Sequence, residues 1–488
     1  MSLAKRLLAR PLIAAAGLFA ALVSSDAQSQ APRITLYEGA RLIAGDGSPA
    51  VENSAFLVTG ATFTRVGRKG DIPLPAGAAR VDLTGKTVMP ALVDMHGHFG
   101  FQNLAAGTMS KETFTRENLI DHLQRLAYVG VGAAVGIGDL VDRSDLHGGR
   151  TKWGDVPLRV RNEVVPGAAV FKTAGPGMAW PGSGAQGDPS RVDVSYGVST
   201  PEEARAAVRD YAQLKPEFIK IWVDDREGQK KTLTPALYGA VLDEAHKANV
   251  PVAVHNVKLS DAKLMVKGGL EGWLHVPVRG GDVVDAEMIA LVKDRIARND
   301  RPVMWVTPAL ITGWMNMTGG AARPSWLDDP LLKALYSPQQ IERYWGEPLK
   351  KMTPDQVARA KAAFAADGKN MMVLRGAGMI VVGGTDTGQT RHLMAFQNHL
   401  DLESMVAMGM TPNEAIKAAT SDGARIGKFN TGLVAGGRQA DFIVLNANPL
   451  ENISNTRKID KVYLRGDEVP RARYAANWAA KLKTAAAK

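Results

Sequence analysis

The 488-residue chain contains no cysteine. That removes a disulfide framework, a thiolate metal site and a lipid-modified cysteine, so any metal must be held by histidine, carboxylate or a modified lysine. Charge of one sign is not concentrated either. Lys and Arg number 59 against 49 Asp and Glu, but the basic residues are scattered and form no stripe interleaved with aromatics. A mildly basic solvated surface accounts for this, and a nucleic-acid partner is not expected. The early Gly-rich phosphate turn of a doubly wound dinucleotide fold is missing as well. What is present is an ordinary globular composition, 45% hydrophobic, long enough for one large domain and a smaller one.

The first 27 residues differ from the rest. Lys5, Arg6 and Arg10 precede the apolar stretch 11–23, and Ser25-Asp26-Ala27 offers small residues before a cut after Ala27. This is the layout of a secretory signal, with too short an apolar part for a comfortable membrane span. It predicts a periplasmic or secreted chain without stable membrane insertion once the leader is removed; an uncleaved N-terminal anchor is the alternative.

Short strands with turn signals run from Ile34 to Gly85, including a hairpin over Thr59-Gly60-Ala61, and strands return at 437–445 and 461–464. Neither end has enough apolar faces to stand alone. Residues 28–88 and 430–470 are therefore expected to build one small β-sandwich domain, with 471–488 a C-terminal tail. The middle, 89–429, alternates apolar, β-branched segments with helical ones. The segments are 133–137, 164–171, 218–223, 250–255, 272–276, 303–307 and 379–383; the helices include Pro201 to Leu214, opened by the cap Thr200. With the strand that ends at His96 and His98, about eight βα units result. That number closes a (β/α)8 TIM-like barrel, whose chemistry lies at the C-terminal strand ends. An open doubly wound sheet is the alternative.

His96 and His98 point to one face of an extended strand, and two imidazoles on one face suit one metal ion. The pair alone is equally compatible with chance. However, Lys220 stands inside an apolar strand where an unpaired ammonium is costly, His255 and His275 close two further strands, and Asp386 follows another. Six such residues at successive strand ends are hard to ascribe to coincidence.

With Met89-Pro90-Ala91-Leu92-Val93-Asp94-Met95-His96-Gly97-His98, Ile219-Lys220-Ile221, Val254-His255, His275 and Gly384-Thr385-Asp386-Thr387-Gly388, and with the tail from Gly432 to Phe442, the chain resembles the amidohydrolase superfamily. Within it, the resemblance is to the imidazolonepropionase-like and prolidase-like group of dipeptidases and amidases. The resemblance implies two divalent metal ions, zinc first, with Mn²⁺, Co²⁺ or Fe²⁺ compatible with the same donors. His96, His98 and Asp386 would hold one ion and His255 and His275 the other, with Lys220, carboxylated by CO2, bridging them. Asp386 would then act as catalytic base on the attacking water. The expected activity is hydrolysis of an amide bond in a dipeptide or N-acyl amino acid. A lactone, carbamate, ester or organophosphate could meet the same metal pair, and a non-catalytic binding protein on this scaffold is the alternative of another class.

Members of the group often carry a His in a Gly-Gly-His-Gly-like loop, where this chain has Gly182-Ser183-Gly184-Ala185-Gln186-Gly187. Gln186 is expected to donate in its place, with His147 as a second candidate. Trp222, Arg391, His392 and Trp314 are further candidate contacts to a small-molecule substrate, His392 and His399 being placed on one helix face. Residues 313–356 form a long insert before the eighth strand, readable as a lid or as a packed helical hairpin. Monomer and homo-oligomer both remain open.

Overall fold

A computed structural model describes residues 32–138, 155–161, 163–187, 195–279, 281–388 and 392–486. Arg33–Lys488 form one compact unit. Its centre is a set of parallel strands: β1 (Leu92–Gly97), β2 (Val131–Gly136), β3 (Val170–Thr173), β4 (Ile219–Val223), β5 (Val252–Asn256), β6 (Gly272–Trp273), β7 (Trp305–Val306) and β8 (Ile380–Val381). β1, β2 and β3 pair in sequence, and so do β4 through β8. β1, β2, β4 and β5 are buried along their whole length, as expected of parallel strands covered by helices, and this is why they read as largely apolar runs interrupted by Asp94, His96, Lys220, His255 and Asn256.

The two strand groups meet where Met95 N donates to Gly383 O (3.0 Å) and Gly97 bridges Thr387. On the other side Glu217 N donates to Thr173 O (3.3 Å), while the short strand Met178–Ala179 pairs with β4. Val93, Met95, Ala133, Phe218, Ala253, Leu274, Trp305 and Val382, drawn from strands all around this arrangement, pack in one apolar cluster. The result is a TIM-barrel-like α/β fold. The strands are shorter than expected from sequence: Val164 is 71% exposed and β3 begins only at Val170, while Val303 is exposed ahead of β7. β-branched residues also suit half-exposed loops, so composition alone overextends a strand.

Helix 201–213 begins as its cap requires. Glu203 N donates to Thr200 Oγ1, the Glu203 carboxylate accepts from Thr200 N, and Pro201 needs no partner at the first position. The two chain ends meet in a five-stranded sheet, in which Thr87–Pro90 pairs antiparallel with Phe442–Leu445. A four-stranded sheet contains the predicted hairpin, with Thr59 opposite Thr62. Tyr37, Phe56 and Phe63 from one sheet pack with Phe442 and Tyr463 from the other. Residues 471–486 are not a loose tail. They form a helix whose buried Trp478 donates to Asp121 (3.0 Å) and lies under the Arg125 guanidinium.

The insert is a series of short helices followed by the long helix Pro354–Gly376, and its tryptophans are core residues. Trp314, Trp326 and Trp345 are all buried, and Trp345 meets Tyr336 and Tyr344 edge-on. A packed hairpin therefore describes the insert better than a mobile lid. Trp345→Ala is expected to cost ~3–5 kcal/mol, as for other large-to-small core changes, measured by denaturant unfolding. A loss below ~1 kcal/mol would restore the lid reading.

Candidate metal centre

Alternation along β1 and the residue after it places Asp94, His96 and His98 on the same side, and all three are buried. The loop leaving β8 lies directly on this segment. His98 N donates to Thr387 O (2.7 Å), and Asp386 N donates to His96 O (2.6 Å). Such an approach requires glycine: a Cβ on Gly388 would stand 1.7 Å from His98 O, and one on Gly384 would meet Thr307 at 2.5 Å. Asp386 itself has φ +55°, a left-handed conformation that aspartate tolerates better than most residues. The turn carries its carboxylate back over the histidines, 288 residues away in sequence.

Asp386 Oδ1 lies 2.9 Å from His98 Nε2 and 3.2 Å from His96 Nε2. Ligating atoms of His96, His275 and Asp386 all fall within 4.8 Å of one another. The His275 ring stands between those of His96 (centroids 5.0 Å) and His255 (4.5 Å). Lys220, 1% exposed on β4, has its Nζ 4.8 Å from the Trp222 ring, and its charge is close enough to depress both His96 and His255. Gly177 makes room for this pair, since a Cβ there would meet Trp222 at 2.6 Å and Lys220 at 2.8 Å.

Burial holds the imidazoles neutral: His255 is lowered to about 4, His96 is lowered despite the opposing Asp386 charge, and His275 lies well below its ordinary range, with Arg279 adding to the effect. Neutral imidazole is the ligating form. Burial would raise Asp386, but His96, His98 and His275 around it outweigh that and hold it well below the carboxylate range.

The donor set fits a cation. His98 Nδ1 contacts the Ile137 carbonyl, an acceptor only, so Nδ1 carries the proton. If Nε2 carries no proton it directs a lone pair at the Asp386 carboxylate 2.9 Å away, a contact that a metal ion or a second ring proton satisfies. His275 Nδ1 is buried without a hydrogen-bond partner. The His96 ring is braced at Nδ1 by Thr307 Oγ1 (3.2 Å), the kind of support that orients a metal ligand.

Several supporting residues are not evident from sequence. Asp94 accepts from His96 N (3.1 Å), Thr385 N (3.2 Å) and the Thr385 hydroxyl (2.7 Å), so it clamps β1 to the Asp386 turn; burial pushes it up to about 6 against those hydrogen bonds. Asp401 accepts from Gly384 N and Gln397 donates to Thr385 O, fixing the same turn. Asp224 Oδ2 lies 3.0 Å from His255 Nε2. Strand alternation with His96 and His98 marks Asp94; the other three are marked by no local pattern.

Among the other expected residues, Trp222 lines the Lys220 strand and His392 Nδ1 approaches the Asp386 carbonyl. His392 and His399 do not share a helix face. His392 precedes the helix Gln397–Ala407, and His399 is buried in it between Thr456 Oγ1 and Val129 O, because the chain turns between them. Trp314 belongs to the apolar core. His147, Arg391 and the Gln186 side chain lie outside the described residues. His122 is held by Gly100 N and Gln102 O, and His246 faces Glu271, both packing roles.

Buried neutral histidines and a carboxylate converging at the C-terminal strand ends of a TIM-barrel-like fold define a hydrolase site that can hold divalent metal. Residues 87–469 match the amidohydrolase family, and the chain belongs to it, a hydrolase acting on amide C–N bonds. Ochratoxinase from Aspergillus niger is 25% identical over 467 residues, 88% of this chain and 84% of that protein. Among solved structures, a Xaa-Pro dipeptidase with methionine bound in its active site superposes with a TM-score of 0.65 at 22% identity, over 89% of this chain and 99% of that one. Phenylurea hydrolase B gives 0.64 at 22% identity, over 90% and 97%. No helix among the described residues is long and apolar enough to cross a membrane.

Proposed function

We propose that the protein is an exported binuclear metal-dependent hydrolase that cleaves the amide bond of a dipeptide or an N-acyl amino acid. The observation that carries this is the convergence of His96, His275 and Asp386, with His98 against Asp386 and His255 against His275. His96, His98 and Asp386 would hold one ion and His255 and His275 the other, with Lys220 as a carboxylated bridge. After its ammonium gives up a proton, the Lys220 amine would add CO2 and release a second proton, giving a carbamate whose negative charge the two cations would offset. When bound, such ions lower the pKa of water and polarise a carbonyl. Asp386, oriented by His96 and His98, accepts the proton of the attacking water and returns it to the leaving nitrogen. Asp224 keeps His255 in one orientation, and Asp94 holds the Asp386 turn.

The likeness to a Xaa-Pro dipeptidase with methionine bound in its active site supports an amide substrate with an amino-acid half. The same reading takes residues 89–429 as a closed (β/α)8 barrel, 28–88 with 430–470 as one β-sandwich domain, and 1–27 as a secretory leader. The test combines elemental analysis of the purified protein with a panel of dipeptides, N-acyl amino acids, lactones, carbamates, esters and organophosphates. Two metal equivalents and highest kcat/KM on the amides are expected. Highest activity on another class, or binding without turnover, would overturn the reading.

A further inference from the structure

Arg279 stands four residues beyond His275 on the loop that leaves β6. Its position is fixed from several sides. Arg279 N donates to Val257 O (3.1 Å), just past His255, while Asn256 Nδ2 donates to Pro277 O (3.0 Å) and Asn370 Nδ2 to Asp282 O (2.9 Å). The Arg279 backbone is thus held beside the C-terminal ends of β5 and β6, and the guanidinium charge is near enough to act on His275, Asp386, Asp224 and Asp367.

Its Nε and one terminal nitrogen are nevertheless buried without a hydrogen-bond partner, and no carboxylate among the described residues forms an ion pair with it. The nearby acids are engaged elsewhere or out of reach. Asp386 meets His98 and His96, and Asp224 meets His255 and Arg226 (3.1 Å). Asp367, on the helix Pro354–Gly376, influences Arg279 from beyond ion-pair distance. The residue as a whole keeps intermediate exposure while these two nitrogens are buried, and a guanidinium cannot escape that cost by deprotonating; the pair of unmatched N–H groups is shaped for a planar carboxylate.

We propose that Arg279 binds the free α-carboxylate of the substrate's amino-acid half, making the enzyme selective for amides that end in a carboxylate. The proposal rests on the amide-hydrolase reading above. Arg279 would act in binding, leaving the proton transfers to Asp386. Its contribution would appear in KM because the carboxylate is bound alike before and during bond cleavage.

The test uses the metal-loaded enzyme and a panel of dipeptides and N-acetyl amino acids, each paired with its α-carboxamide, with products quantified by mass spectrometry. Wild type is expected to prefer the acid by about 30-fold or more in kcat/KM, the scale of a desolvated charge pair. Arg279→Met should bring the ratio near one by raising KM for the acids alone, with Arg279→Lys intermediate. The melting temperature of Arg279→Met should not fall, because two buried N–H groups without partners have been removed. Equal turnover of acids and amides by wild type would overturn the anchor and leave the hydrolase reading intact. Survival of the preference in Arg279→Met, or an equal loss on both series with a lower melting temperature, would also overturn it. If Arg279→Met does not fold, an unchanged acid preference in Arg279→Lys would do so. Absence of turnover on every amide would overturn the hydrolase reading and the anchor with it.

Discussion

Asp386→Asn is expected to lose amide turnover by roughly 10²–10⁴-fold, the usual range for a general acid–base group, while an activated ester of similar shape is spared. The asparagine oxygen can still face His96 and His98, but it cannot accept the proton of the attacking water or return it to a leaving amine. A nitrophenolate leaves without that proton. The amide and ester rates should therefore separate in the variant, and metal content must be followed in parallel because a drained site would lower both. If both metals stay and the two substrates lose the same fraction of rate, Asp386 is not the proton carrier. The His98 contact to the Ile137 carbonyl makes the variant informative, since it holds the His98 ring in place independently of Asp386.

Lys220→Ala should change metal content before any rate is measured. A bridging carboxylate belongs to both ions, so its removal is expected to take the stoichiometry from two equivalents to one or none, with amide turnover falling together with the metal. Elemental analysis of the purified variant checks this, and an unchanged two equivalents would remove Lys220 from the site. Restoring metal and turnover by adding a short-chain carboxylic acid to Lys220→Ala would separate loss of the bridge from collapse of the strand. Lys220 is enclosed by Gly177 and Trp222, and the cavity left by the truncation is bounded by those same groups.

How much of this was legible in the residues depends on whether the signal was local. The eight strands, the Thr200 cap and the 59–62 hairpin follow from apolar runs, capping chemistry and turn residues, all of which act over a few positions. His96 and His98 were marked by strand alternation, and the same alternation points to Asp94. Composition extends the strands too far at Val164 and Val303, because β-branched residues also occur in exposed loops. The segment 471–486 gave no sign of docking until Trp478 was seen against Asp121 and Arg125. The insert's tryptophans could be placed in the core only once Trp345 was seen between Tyr336 and Tyr344.

By itself the sequence determined the element types and the family resemblance, with the metal-holding residues that resemblance implies, since these depend on residue type and short-range spacing. The tertiary structure alone decided that Asp386 turns back onto His96 and His98, that Asp224 meets His255 and Asp94 clamps Thr385, and that Arg279 is left beside them with unmatched N–H groups. Each of these joins segments far apart in the chain. The physical reason is that such contacts are made by the closure of parallel strands around one core, and their geometry depends on close backbone approaches, at Gly384 and Gly388, that no local pattern encodes.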